Sequence, residues 1–211
     1  MNTTLRVGLA LLAAGLFLAG CEKKAPAERS TPAEPAREAA VQTSEKAPAF
    51  TLIDHNGKTH NLSDYLGKTV VLEWLNPGCP FVIRHHDAKT MVTLADAYAG
   101  KGVVWLGINT TSDFDQAKNK AFAEKYSLPY PVLNDNTGKV GRLYDAKTTP
   151  HVFVIDKAGV LAYQGAIDDD PAGTKADRIN YVKAAIDELL AGKPVTTKET
   201  KPYGCSVKYA E

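Results

Sequence analysis

The sequence predicts an α/β domain, a central mixed β-sheet with helices on both faces, and three observations carry that expectation. Thr69 to Leu75 and Val103 to Ile108 are short apolar runs, the first rich in β-branched residues, of the kind buried strands show, and a helical stretch separates them. Val152 to Ile155 and Val160 to Gln164 bracket the turn residues Asp156-Lys157-Ala158-Gly159, a strand, turn, strand unit. A last helix from Thr174 to Ala191 spaces Ile179, Val182, Ile186, Leu189 and Leu190 so that they cover a sheet. Strands alternating with helices, then a hairpin and a helix, give that layered arrangement.

Each element has its own signal. Phe50 to Ile53 and Lys58 to His60 flank Asp54-His55-Asn56-Gly57, an N-terminal β-hairpin extension. Ser63 suits the cap of a short helix through Leu66, which Gly67 stops. The strand ending at Leu75 runs into the turn Asn76-Pro77-Gly78, and Cys79-Pro80 opens a helix expected to reach about Tyr98. Val82, His86, Lys89, Val92 and Leu94 form no clean stripe along it. Gly100-Lys101-Gly102 breaks the chain before the second apolar run. A helix from Asp115 to Tyr126 is expected to set Ala117, Ala121, Phe122 and Tyr126 on one side, and Pro129 and Pro131 end it. Tyr144 to Thr149 leads to Pro150, and Gly192 and Pro194 close the last helix.

The 211 residues are 44% hydrophobic and 23% charged, which excludes collagen-like and wholly disordered chains. Lys and Arg number 25 against 24 Asp and Glu, so nothing steers the protein toward nucleic acid. Arg6 is followed by an uncharged run of 13 residues, Val7 to Ala19, short of the ~20 that cross a bilayer as a helix. Residues 1–20 thus read as a secretory signal. Leu18-Ala19-Gly20-Cys21 resembles the lipobox of bacterial lipoproteins, in which the signal is cut before the cysteine and Cys21 is acylated. An ordinary secretory signal, leaving Cys21 a free thiol, is the alternative. Both place the domain outside the cytoplasm, where disulfides persist. The lipoprotein resemblance implies a lipid-anchored, periplasm-facing protein of the bacterial cell envelope, and Glu22 resembles outer-membrane sorting. Residues 22–48 hold seven Ala, four Pro and ten charged residues with no aromatic, so residues 21–48 read as a disordered, lipid-anchored tether. Residues 49–191 form the domain, and 192–211 a tail.

Only three cysteines occur, Cys21, Cys79 and Cys205, too few for a disulfide framework or a four-cysteine zinc site. At the start of a helix, Cys79 meets unsatisfied backbone N–H groups and the positive end of the macrodipole, which favour a reactive thiolate. Pro80 fits the first turn, where its missing N–H costs nothing. A buried, inert cysteine is the other reading.

Phe50-Thr51-Leu52, Gly67 through Leu72, Trp74 through Pro80 and Thr149-Pro150 together resemble the redoxin branch of the thioredoxin fold, over residues 47 to 191. Within it the segment Asn76-Pro77-Gly78-Cys79-Pro80-Phe81-Val82 is most similar to the peroxiredoxin-like, AhpC/TSA-related proteins. The chain departs from both better-known patterns. The second cysteine of C-x-x-C is replaced by Val82. The P-x-x-x-T-x-x-C of a typical peroxiredoxin falls on Leu75, Cys79 and Val82, three mismatches, and its arginine has no counterpart.

The resemblance implies that Thr149-Pro150 is the cis-proline loop facing the reactive cysteine, where it offers backbone groups to a bound thiol or peptide together with Pro80. An edge-strand proline is the alternative. Glu73 takes the place of the buried carboxylate that relays protons to the reacting thiols, unless it points into solvent. The 13 residues from Gly192 to Gly204 span up to ~43 Å, long enough for Cys205 to fold back onto Cys79 and resolve its oxidised or mixed-disulfide form. Lys208 would favour the thiolate there. A static structural disulfide or an unpaired surface thiol are the alternatives. No cofactor is implied.

Copper delivery through Cys79, His85 and His86 is a second class, disfavoured because adjacent helical histidines point ~100° apart and one nearby cysteine is missing. A tethered, non-catalytic binding module is a third. Asp168-Asp169-Asp170 lacks the spacing of a calcium loop and reads as a solvated turn. The sequence therefore points to an extracytoplasmic thiol-disulfide oxidoreductase or thiol peroxidase, with Cys79 as nucleophile, a thiol, disulfide or peroxide as substrate, and an extracytoplasmic thiol reductase as electron donor.

Overall fold

The structure is a computed structural model in which residues 42–210 are described; the expected signal, Cys21 and the tether up to residue 41 lie outside them. The described chain enters beside the sheet rather than away from it. Ser44 N–H donates to the Leu161 carbonyl at 2.7 Å, Leu161 N–H to the Glu45 carbonyl at 2.9 Å, and Ala47 N–H to the Gly159 carbonyl at 3.0 Å. The backbone groups of this polar segment are satisfied by pairing, with no need for large apolar side chains.

A hairpin follows, β1 (Thr51–Asp54) and β2 (Thr59–Asn61). The Asp54 carboxylate accepts the N–H groups of Asn56 and Lys58 across the turn, and its other oxygen lies 2.9 Å from His60 Nε2. The short 3₁₀ helix Leu62–Tyr65 is capped by Asn61, not Ser63, since the Asp64 side chain reaches back to the Asn61 N–H at 3.2 Å.

Among the described residues the remaining elements are β3 (Thr69–Trp74), α1 (Pro80–Asp87), α2 (Thr90–Tyr98), a second 3₁₀ helix (Ala99–Lys101), β4 (Val103–Asn109), α3 (Gln116–Lys125), β5 (Val132–Asn134), α4 (Lys139–Leu143), β6 (Thr148–Thr149), β7 (His151–Ile155), β8 (Leu161–Gly165), α5 (Tyr181–Leu190) and β9 (Cys205–Ser206). Seven strands make one mixed sheet in the order β2-β1-β5-β4-β3-β7-β8, and β6 pairs separately with β9. β3 runs parallel to β4 and antiparallel to β7, and all six of its residues are buried. Alternation sends Val70, Leu72 and Trp74 to one face with Leu106, Tyr144 and Phe153, and Val71 to the other with Met91, Leu94, Val182 and Ile186. Burying each such side chain contributes roughly 1.5–3 kcal/mol.

Four helical expectations change. The helix expected from Cys79 to Tyr98 is two, broken at Lys89, which adopts a left-handed φ of 54°. The break moves the buried stripe from Val82, His85 and His86 to Met91, Leu94 and Tyr98, a phase slip that one straight helix cannot make and that explains the missing clean stripe. On α3 the inward residues are Asn119, Phe122 and Ala123, while Ala117 and Ala121 face solvent. The third concerns α5, which starts at Tyr181 rather than Thr174, because Asn180 caps it and the Asp169 and Asp170 carboxylates take the N–H groups of Thr174, Lys175 and Ile179 in a turn instead. Ile179 is therefore exposed at 57% rather than packed on the sheet. The fourth is α4, unanticipated like the strand β5; at five and three residues they are too short to show a period.

Leu72→Ala in the centre of β3 is expected to destabilise the fold by about 2–5 kcal/mol, whereas Leu66→Ala, at a site 64% exposed, should change it by less than about 0.5 kcal/mol. Urea denaturation of the two variants checks the contrast.

Candidate active site

The site forms where β3 ends. The Asn76 carbonyl accepts the Cys79 N–H at 2.9 Å and its side-chain oxygen accepts the Gly78 N–H at 2.8 Å, a local turn that fixes Cys79 as the N-cap of α1. Cys79 is extended, at φ −87° and ψ 122°, and Pro80 occupies the first helical position. The sulfur therefore sits at the helix N-terminus, yet the residue is 1% exposed.

What covers it is the tail. After α5 the chain returns along β8, with Gln164 N–H donating to Lys198 and Thr200 N–H donating to Gln164 at 3.0 and 3.1 Å. It then pairs as β9 with β6, placing Cys205 opposite Thr149. The Thr149–Pro150 bond is cis. Gly204, at φ 136°, lies on that bond so closely that a Cβ would stand 2.1 Å from the Thr149 carbonyl oxygen, so only glycine fits. The two sulfurs, 126 residues apart in sequence and both free thiols, come within 2.9 Å, and the Cys79 S–H also reaches the Thr149 carbonyl at 2.9 Å.

The thiols are driven apart in acidity. Burial pushes Cys79 up, but hydrogen bonds from the Cys205 thiol and from the Val82 and Cys205 backbone outweigh it and leave Cys79 below its ordinary 9.0. Burial and the neighbouring Cys79 push Cys205 up to about 11, against a smaller opposing pull from Lys208. Cys79 is the group poised to ionise and Cys205 the one poised to keep its proton.

Glu73 does not point into solvent. Its side chain is fully buried on the Val71 side of β3, where Tyr130 donates to it at 3.0 Å and His86 Nε2 lies 3.3 Å away, off the hydrogen-bond axis. Burial and the Glu73 carboxylate push the Tyr130 hydroxyl well above 10, so it remains a donor. The rings of Phe122 and Tyr126 enclose His86.

Sequence reading missed a second cluster. Tyr203, two residues before Cys205, has its hydroxyl 2.9 Å from His85 Nε2 and donates to the Asp168 carboxylate. Burial, the largest influence, lowers His85 to about 4. The turn at 168–170 is not solvated as expected: Asp168 and Asp170 are each 2% exposed, and Arg84 donates to the Asp170 carbonyl at 3.2 Å. The one available signal was a tyrosine two residues before the tail cysteine. His85 and His86 face different partners, and among the described residues no three His, Cys, Asp or Glu side chains converge on a metal position.

Residues 43–164, more than half of the chain, match the AhpC/TSA family. The chain is 35% identical over 127 residues to peroxiredoxin Q, chloroplastic, of Triticum aestivum, covering 55% of each protein. It is 33% identical over 120 residues to the thiol-disulfide oxidoreductase ResA of Geobacillus kaustophilus, covering 57% of this chain and 67% of that one. The chain thus spans little more than half the length of the wheat relative. A solution structure of a putative thioredoxin from Neisseria meningitidis superposes with a TM-score of 0.51 at 26% identity, over 57% of this chain and 79% of that one, which gives the domain its thioredoxin-like fold.

The thiolate absorbance near 240 nm of the full chain carrying Cys21→Ser is expected to rise with a midpoint below pH 9.0, and Cys205→Ala should move that midpoint upward by removing the hydrogen bond from the Cys205 thiol. Gly204→Ala should lift the tail from the Thr149–Pro150 bond, read as faster reaction of Cys79 with a bulky aromatic disulfide reagent.

Proposed function

The chain belongs to the AhpC/TSA family, and from that premise we propose that it is a thiol-dependent oxidoreductase cycling between a dithiol and a Cys79–Cys205 disulfide. The observation that carries the reading is the 2.9 Å approach of two free thiols, one at a helix N-terminus and the other on the tail strand. It replaces the local dithiol that Val82 removes.

The chemistry has two balanced forms. With a hydroperoxide, the Cys79 thiolate attacks the distal oxygen, the O–O bond breaks, the departing alkoxide or hydroxide takes up the proton that Cys79 had released and leaves as alcohol or water, and Cys79 becomes a sulfenic acid; Cys205 then attacks that sulfur, forming the disulfide and releasing water. With a small disulfide, Cys79 attacks one sulfur and releases a thiolate, and Cys205 displaces the second from the mixed disulfide. Both require Cys205 to lose a proton as it attacks. Glu73, with His86 and Tyr130 around it, is a buried carboxylate below the helix that carries Cys79, suited to moving protons within the site. A dithiol reductant of the same compartment returns the protein to its starting state. Burial of Cys79 beneath the tail, on the groups where an extended client would dock, favours small oxidants over folded protein disulfides.

The place of action follows from the N-terminal pattern. Acylation of Cys21 would hold the domain at the periplasmic side of the cell envelope, on the outer membrane, at the end of the segment that precedes residue 42. Residues 1–41 lie outside the described structure, so the sequence alone supports this part.

Peptide mass mapping after oxidation by hydrogen peroxide or by a small disulfide should find Cys79 joined to Cys205, and thiol buffer should reopen the bond. Cys79→Ser is expected to abolish turnover and Cys205→Ser to halt it at a sulfenic acid or mixed disulfide. Failure of the two cysteines ever to join sinks the reading, while a bond that forms but resists reduction makes it a structural staple. Glu73→Gln should slow turnover about a hundredfold with Cys79 alkylation at high pH retained.

A further inference from the structure

The buried cluster around Tyr203 serves neither redox step directly, and its placement assigns it another task. Tyr203 lies two residues before Cys205, in the segment that leads into the strand that must stay in place for the two sulfurs to meet. Its hydroxyl is held by two groups from separate elements: His85, on the same helix that Cys79 caps, and Asp168, in the turn after β8. Its ring packs between Phe81 and His85, at centroid distances of 6.1 Å each, and the Arg84 guanidinium stands 5.9 Å from the ring centre. Arg178 pairs with the other oxygen of Asp168 at 3.7 Å. Asp168 is 2% exposed, and without the tyrosine hydroxyl its inner carboxylate oxygen would lose its side-chain donor in a largely dry site.

We propose that Tyr203 is the positioning residue that registers Cys205 over Cys79, its hydroxyl linking the tail through Asp168 and His85 to the helix that carries the nucleophile. This rests on the redox-pair reading above and adds to it the device that sets how readily the pair closes. A tail free to wander presents Cys205 at the low effective concentration of a flexible chain; a tail fixed two residues away presents it continuously. The hydroxyl therefore stabilises the internal disulfide relative to the dithiol without touching either sulfur. Loss of one charge-assisted hydrogen bond lowers the equilibrium constant for closing the bond by about tenfold, which is about 30 mV toward easier reduction for a two-electron couple.

The experiment uses the full chain with Cys21→Ser, equilibrated in reduced and oxidised glutathione, with the fraction of Cys79–Cys205 bond read by mass after acid quench and thiol alkylation. Tyr203→Phe and Asp168→Ala should each lower the closing constant about tenfold, and the double variant should fall no further, because both remove the same link. Tyr98→Phe removes a tyrosine-to-carboxylate bond elsewhere, from α2 to Asp187 on α5, and should leave the constant within about twofold. An unchanged constant in Tyr203→Phe, or additive losses in the double variant, overturns the proposal while the redox pair stands. If Asp168→Ala does not fold, Tyr203→Phe against Tyr98→Phe decides the matter alone. A parental protein in which the bond never forms overturns the redox reading and this proposal with it.

Discussion

The site depends on one close approach, that of Gly204 to the cis Thr149–Pro150 peptide. A backbone can lie that near another backbone only where no Cβ stands between them, and a Cβ here would overlap the Thr149 carbonyl at 2.1 Å. Because Gly204 lies flat, β9 pairs with β6, and because Thr149 faces Cys205 in that register, the second sulfur arrives over the first. The central sheet holds Cys79 at the end of a fully buried strand, but the partner thiol is placed by a glycine, a proline and two residues of strand.

That geometry divides the labour between two chemically identical groups. Both thiols lose solvation, which alone would make both weaker acids. The difference comes from which thiolate finds donors: an ionised Cys79 collects hydrogen bonds at a helix N-terminus, that of the Cys205 thiol among them, whereas Cys205 is pushed to about 11. Two groups whose surroundings separate their acidities are the usual structural basis of distinct roles in one reaction.

Much of this was legible in the residues. The β-branched run into Asn76-Pro77-Gly78-Cys79-Pro80 located the central strand and the helix N-terminus, because turn chemistry and strand burial are local, whereas Thr149-Pro150 was marked as the facing loop only by the family resemblance. Glu73 was visible as a residue but not as a buried one, since a strand end can face either way until its neighbours are known. The break at Lys89, the late start of α5 and the Tyr203 cluster were not legible. Lys89 in a left-handed conformation resolves a phase conflict between two buried stripes, Asp169 and Asp170 divert backbone donors that a helix would otherwise use, and Tyr203, His85 and Asp168 meet only through the tertiary fold. Contacts between residues far apart in sequence leave no periodic trace.

The separation of the two cysteines has a thermodynamic side. A bond between residues 126 apart closes a loop containing most of the domain, and in the chain-entropy account such a link lowers the disorder available to the unfolded chain by about 5 kcal/mol at 25 °C. In the proposed redox cycle this couple would also be a cross-link, so that each turnover would pass through one form tied across most of the domain and another with that tie undone. Resistance to heat would rise and fall with the supply of electrons, and a scarcity of reductant would hold the protein idle in its sturdier form.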